Sequence, residues 1–455
     1  MHTSIQRRDF LKQSSAAGIG LGMAGYLGSL LPSLAQNAPA PARKIGPDDK
    51  INAAVIGTNG RGLSLISCLT RLPNVEITHI CDVDKRALEK GLKEVAKKQS
   101  APAAGSADFR KILEDPALDV VAIATPDHWH APMAILALAA GKHVYVEKPC
   151  SHNPYEGELL LEAVEKYKRV AQMGAQRRSS AAMRQIIPEI HDGLIGKTYF
   201  AKGWYANGRA SIGKGKPVPV PDWLDYELWQ GPAPRAAFVD NLIHYNWHWH
   251  WLYGTGEALN NGTHEMDIAR WALDVTWPTR VSSNGGRYAF EDDWECPDTQ
   301  NISWDFPGGK SMAWEGRSCN PFPVEGRQRG VLVYGTKGTA LLDGDDYIIY
   351  DKAGKIIKQA KGNEAVDATN TVSGSGAGMD TAHVSNFIAA IRGDGAPHCP
   401  IEEGHKSVTL LHLGNIAWRA GRTLHCDPKN GHILNDPEAM KLWKRDYEPG
   451  WEPKV

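Results

Sequence analysis

The chain has 455 residues, enough for two domains and a sizeable core. Its 51 lysines and arginines stand against 52 acidic residues, and a formal net charge of -1 leaves no electrostatic footprint for nucleic acid or an anionic membrane. Frequent glycine (46) and tryptophan (15) suit a loop-rich enzyme with an aromatic-lined pocket.

At the N-terminus, Gln6-Arg7-Arg8-Asp9-Phe10-Leu11-Lys12 matches a twin-arginine export signal. An apolar, glycine-rich stretch follows from Ala16 to Leu31, and Ser33-Leu34-Ala35 offers small residues for cleavage after Ala35. The alternative is an uncleaved anchor, which the many glycines and Pro32 disfavour, so no stable membrane anchor is expected. Residues 1–35 therefore read as a signal peptide and 36–49, rich in Ala and Pro, as a linker.

From Lys50 strands and helices alternate. Strands are expected at 51–56, 75–81, 119–124, 143–147 and 169–173, with helices at 61–71, 84–98, 108–114, 131–140 and 154–167. This is the pattern of a doubly wound parallel sheet, a dinucleotide-binding domain over 50–176. Between the first strand and helix lies Gly57-Thr58-Asn59-Gly60-Arg61-Gly62. A tight strand-to-helix turn needs residues without a Cβ, so that backbone N–H groups approach a pyrophosphate at the helix N-terminus. The second strand ends in Asp82, near the distance expected for a ribose hydroxyl contact. A carboxylate there favours NAD over NADP, although Lys85 and Arg86 follow closely.

Two further strand ends face the same cleft. Thr125-Pro126-Asp127-His128-Trp129-His130 should line it, with Thr125, Pro126 and His128 as cofactor contacts and the histidines also placed to cap a helix beginning near Ala131. Glu147-Lys148-Pro149 ends the 143–147 strand, with Glu147 and Lys148 expected as cofactor contacts beside the Asn59 and Arg61 of the glycine turn. A lysine desolvated there beside Glu147 suits general acid/base work.

After residue 176 turn signals and aromatics become dense, and 177–455 reads as a substrate-binding and oligomerisation domain of α+β type. Strands are expected at 197–205, 279–290, 299–306, 310–316, 329–334 and 347–351, forming an open, mainly antiparallel sheet. Helices are expected from Thr263 to Leu273, at 381–392 and at 403–421, and Gly354 to Gly378 reads as a surface loop. His264 falls in the first turn of its helix, where the dipole favours the neutral imidazole, a base for a substrate hydroxyl. His244, Asn246, His248 and His250 alternate and would share a face if extended. No Cys, Asp or Glu completes a metal site at short range, so no metal is assigned, and Trp247 and His248 are better read as a sugar-stacking wall beside Arg178. The seven cysteines form no CxxC pair; those in the dinucleotide half read as buried thiols, and one disulfide among Cys296, Cys319, Cys399 and Cys426 stays open.

Together, the GxxGxG turn, Cys81-Asp82-Val83-Asp84, the 125–130 motif and Glu147-Lys148-Pro149 resemble the Gfo/Idh/MocA family of sugar and cyclitol oxidoreductases. The resemblance extends to His383-Val384-Ser385-Asn386-Phe387, Ile401-Glu402-Glu403-Gly404 and His412-Leu413-Gly414-Asn415-Ile416, which look like the family's closing helices. It implies a Rossmann domain, an open sheet that serves as oligomer interface in a homodimer or homotetramer, and hydride transfer between a sugar or glycoside ring carbon and NAD. It implies catalytic roles for Lys148 and His264. Many family members place an Asp four residues before that histidine; here Asn260 stands there, able to orient a hydroxyl but not to take a proton. Exported relatives include NAD-dependent glycosidases, whose histidine lies in a Pro-Thr-His-Gly context, against Gly-Thr-His-Glu here. A third reading is a scaffold that binds dinucleotide or sugar without catalysis. The export signal agrees with a bound dinucleotide, because the twin-arginine route carries folded proteins. A periplasmic or otherwise extracytoplasmic enzyme has no free nicotinamide supply, which calls for a tightly held cofactor.

Overall fold

The computed structural model describes residues 43–361 and 377–455. The expected signal peptide, the first part of the linker and most of the 354–378 segment lie outside the described residues.

The N-terminal half alternates β1 (Ile51–Ile56), α1 (Arg61–Leu69), β2 (Val75–Cys81), α2 (Lys85–Ala96), β3 (Ala104–Ser106), α3 (Phe109–Leu113), β4 (Val120–Ile123), α4 (Asp127–Ala139), β5 (His143–Val146), α5 (Pro154–Tyr167) and β6 (Ala171–Met173). All six strands are parallel, in the order β3-β2-β1-β4-β5-β6. The apolar runs of β1 from Ala53 to Ile56 and of β4 fit burial on both faces. Chain order reverses between β1 and β4, so a crevice opens beyond their carboxyl ends. Helix starts are set by side chains: Asp84 and Asp108 accept the N–H two residues on, and Asn153 accepts that of Glu156 ahead of a first-turn proline.

The second half continues with α6 (Ala181–His191), β7 (Thr198–Ala206), α7 (Tyr226–Gln230), α8 (Gly256–Asn260), α9 (Gly262–Leu273) and β8 (Arg280–Gly286). It closes with β9 (Thr299–Phe306), β10 (Lys310–Arg317), β11 (Arg329–Gly335), β12 (Gly338–Asp343), β13 (Asp346–Asp351), β14 (Ile356–Ala360), α10 (Ala377–Ile391), α11 (Ile401–Ala420) and β15 (Leu424–His425). The nine-stranded sheet runs β14-β13-β12-β11-β7-β10-β9-β8-β15, antiparallel except where β10 pairs with β7. Glycine at 203 lets α9 lie close: a Cβ there would meet the Met266 sulfur at 2.8 Å.

Several expectations shift. Helix α4 begins at Asp127, not near Ala131, with Pro126 as its cap residue, so His128 and His130 are helical. The strand Ile356–Ala360 occupies what reads as loop, pairing with β13. Helix α6 hides behind Pro188, which its pattern carries inside the helix, and β3 is too short and polar to signal itself. Residues Asn246–Trp249 form a 3-10 turn rather than an extended run, so the alternating histidines do not share a face. All seven cysteines are free thiols, six of them buried. Helix α10 crosses back to the first sheet, where Val384, Phe387 and Ile388 bury against Ile51, Val55 and Ile66. Among the described residues no helix is long and apolar enough to cross a membrane.

This packing buries histidines in neutral form. Burial holds His128 and His412 at about 3, and His143, His383 and His405 at about 4. Unfolding frees them to protonate near their ordinary value of about 6.5, so the unfolded state binds more protons at mildly acid pH. Each contributes stability that is full above pH ~6.5 and falls by about 1.4 kcal/mol per pH unit below it. The urea midpoint should drop steadily from pH 7 to pH 5; an unchanged midpoint would mean that these rings are hydrated.

Candidate active site

The crevice is a cleft of about 500 Å³, walled by the β1–α1 turn, the ends of β2, β4 and β5, and second-domain residues from 209 to 264. Gly57, Asn59 and Gly60 line its floor. Gly57 has φ +86, and a Cβ there would come within 2.5 Å of the Ala124 carbonyl oxygen. Gly62 does not line the cleft; its missing Cβ lets α1 sit on the Gly57 carbonyl, which it would otherwise approach to 2.0 Å. Among the described residues no side chain caps α1, which leaves its N-terminus open to a ligand.

Asp82 lies half-buried on the rim, one carboxylate oxygen accepting Thr58 N–H at 2.7 Å and the other Asp84 N–H at 2.9 Å. Burial pushes its carboxyl up, and these bonds pull it back. The fixed carboxylate retains lone pairs for ribose hydroxyls. The neighbouring cations are engaged: Lys85 donates to the Asp222 carbonyl, and Arg86 pairs with Asp84 while lying 3.4 Å from the Trp223 ring centroid. Although burial raises the Asp84 carboxyl, bonds from Arg86 and His244 hold it at about 2. Thr125 and Pro126 line the cleft, and the buried Thr125 hydroxyl has no partner among the described residues. An uncapped helix end, a fixed carboxylate and an unpartnered hydroxyl along one crevice fit a dinucleotide.

Other expected contacts are committed elsewhere. Arg61 lines the cleft, yet its guanidinium bonds Glu147 at 2.6 Å and both oxygens of Asp380 at 2.7 and 2.8 Å. Glu147 is therefore half of a buried ion pair that ties α10 to the first sheet. His128 does not line the cleft; its Nε2 lies 2.8 Å from the Trp229 carbonyl, and its ring packs on Trp229 and Tyr253. Arg178 is buried against Asp267 at 2.8 Å and is no part of the cleft wall.

The catalytic candidates do meet. The Lys148 ammonium donates to the Asn260 backbone carbonyl at 2.6 Å and to its side-chain oxygen at 3.2 Å. Burial lowers the Lys148 pKa, against the carboxylates of Glu147 and Asp127, which favour the ammonium. His264 stands in the same wall, and its Nε2 is buried without a partner among the described residues. Burial, then the charge of Lys148, keeps its imidazolium far below the ordinary range. Trp247 and His248 stack at 3.6 Å between ring centroids beside them, with His248 Nδ1 held by the Tyr245 carbonyl at 2.6 Å.

Sequence reasoning missed Arg209, Gln176 and His244, all of which line the cleft. Arg209 and Gln176 lie outside any periodic pattern. His244 stood among the alternating histidines, but its partner Asp84, at 2.8 Å, lies 160 residues away.

Three family models match in succession: "Oxidoreductase family, NAD-binding Rossmann fold" over residues 51–175, and two C-terminal domains of the same family over 229–341 and 333–453. The chain belongs to the Gfo/Idh/MocA oxidoreductase family. A glycosyl hydrolase family 109 protein of Saccharopolyspora erythraea is 31% identical over 52% of this chain and 55% of the relative. An alpha-N-acetylgalactosaminidase of Shewanella oneidensis is 28% identical over 45% of this chain and 46% of its own. The chain thus spans about half the length of the curated relatives it matches. Levoglucosan dehydrogenase, solved with NADH and levoglucosan, superposes with TM-score 0.64 at 18% identity, over 83% of this chain and 99% of that one. The WlbA dehydrogenase of Bordetella pertussis, solved with NADH and UDP-GlcNAcA, gives 0.62 at 18% identity over the same 83% and 99%. These likenesses show the family's fold, and the cofactor of the family is NAD.

The floor of the cleft gives a direct test. Gly57→Ala should lose bound nicotinamide and lower the urea midpoint, since it adds both a strained φ and a clash with Ala124. Gly193→Ala, at φ +92 with open space around it, should lose stability alone. Equal cofactor content in the two purified variants would contradict this account of the floor.

Proposed function

We propose that this chain transfers hydride between a ring carbon of a sugar, glycoside or cyclitol and a tightly held NAD. The observation that carries this reading is that Lys148 and the unpartnered His264 share the cleft into which the dinucleotide turn opens. When bound, NAD supplies the hydride acceptor or donor at its nicotinamide ring.

The chain's own residues handle the proton. His264, kept as free base, accepts a hydroxyl proton at Nε2 as the carbon is oxidised and returns it in the reverse direction. Lys148 fixes the reacting oxygen with an ammonium that gives up its proton more readily than a surface lysine. Asn260 orients Lys148 through two oxygens. The Trp247–His248 stack offers an apolar face for a sugar ring and polar edges for its hydroxyls.

The curated relatives favour a second reading on the same residues: glycoside cleavage, in which transient ring oxidation acidifies the neighbouring C–H and lets the anomeric substituent leave. We also propose export in folded form by the twin-arginine route, supported by Gln6 to Lys12 and the cleavage residues to Ala35, and assembly into a homodimer or homotetramer through the open sheet.

Purified protein without added cofactor should show a sugar-driven absorbance rise near ~340 nm, the reduced-nicotinamide band. Lys148→Ala and His264→Ala should each lower kcat/KM by about 10²–10⁴-fold. Because His264 protonates only below its ordinary range, the acid limb of kcat/KM should lie below pH ~6.5. Release of an aryl group from an aryl glycoside would select the glycosidase reading. No response across sugars and glycosides would leave only the scaffold.

A further inference from the structure

The Asp that many relatives place before the histidine is Asn260 here, yet a carboxylate lies one helical turn earlier. Glu257 in α8 is buried, 3% exposed, and five donor groups converge on it. The Asn260 side-chain amide donates to its Oε1 at 3.2 Å and the Asn261 amide to the same oxygen at 2.5 Å. Ser318 donates to Oε2 at 3.1 Å. Arg209 donates to Oε2 through Nε at 2.7 Å and to Oε1 through a terminal nitrogen at 3.4 Å. Arg209 lines the cleft and also bonds the Tyr245 hydroxyl at 2.8 Å.

We propose that Glu257 is the positioning residue of this site: through Asn260 it sets Lys148, and directly it neutralises Arg209 on the substrate side. The proposal rests on the catalytic reading of Lys148 given above. An amide can face Lys148 with either end. Glu257 accepts only, so it takes the NH2 group and leaves Oδ1 for the ammonium. With Glu257 in place, Arg209 arrives already paired, and the substrate end of the cleft suits an uncharged glycoside better than a uronate.

The groups facing Lys148 are Glu147 from its own loop, Arg61 from α1, Asp127 from α4, Glu257 from α8, His264 from α9 and His248 from the aromatic turn. Burial dominates the Lys148 ionisation, and Glu257 is one of the carboxylates that favour its ammonium. Removing that charge should therefore move the Lys148 midpoint down, whereas freeing Glu257 from Arg209 should move it up.

The test reads this directly, without turnover. The intact protein is labelled with acetic anhydride across a pH series, and the labelling rate of the Lys148 peptide is followed by mass spectrometry in wild type, Glu257→Gln and Arg209→Gln. The expected result is a midpoint lower by about half a pH unit or more in Glu257→Gln and a shift of opposite sign in Arg209→Gln. Arg209→Gln keeps the carboxylate hub and serves as the decisive variant if Glu257→Gln does not fold. Glu257→Gln should also gain affinity for a methyl glucuronide over the neutral methyl glucoside, read by quenching of tryptophan fluorescence. Unmoved midpoints in folded variants would overturn the proposal even if the protein oxidises sugars. Shifted midpoints in a protein that turns over no sugar would uphold the positioning role and sink the catalytic reading instead.

Discussion

The contact on which the site depends is the one between Lys148 and Asn260. Lys148 is fixed by the end of a parallel strand in the first sheet, and Asn260 by the short helix that feeds α9 in the second half. A part-buried ammonium still needs acceptors, and here a backbone carbonyl and a side-chain amide oxygen from the other half supply them. This bond joins the two halves at the cleft, whose wall also includes His264, Trp247 and His248.

Other polar contacts accompany it. Arg61 joins Glu147 to Asp380 on α10, so the returning helix is clamped to the β5 end. Asp84 ties the β2–α2 corner to Arg86 and to His244 of the second half. The backbone pairing of Asp84 with Leu224 adds a third tie, two residues beyond Asp82. The Arg61, Glu147 and Asp380 side chains are largely out of water, so removing one member of that cluster would be costly.

The sequence made legible whatever depends on local chemistry. Glycines 57, 60 and 62, Asp82 and Lys148 were readable because strand ends and tight turns dictate their residue types at fixed spacing. Helix α9 and His264 were readable from periodicity. What escaped depends on contacts distant in the chain. Nothing local marks Arg61 as the partner of Asp380, 319 residues away, rather than of a phosphate. Arg178 looked free to face a sugar until α9 brought Asp267 to it. The period-two histidines suggested a strand, but a 3-10 turn stacks Trp247 on His248 and buries Trp249 on Trp294. Glu257 was within reach of sequence reasoning, since it precedes Asn260 by one helical turn.

The central claim is that sugar chemistry at this site passes through a nicotinamide the protein already holds. A sugar or glycoside deuterated at its ring carbons, incubated with protein as purified, tests it most directly when the extracted cofactor is weighed by mass spectrometry. Deuterium on the resident nicotinamide, absent in Lys148→Ala, is the result expected. Turnover of the glycoside with no deuterium reaching the cofactor would contradict the account.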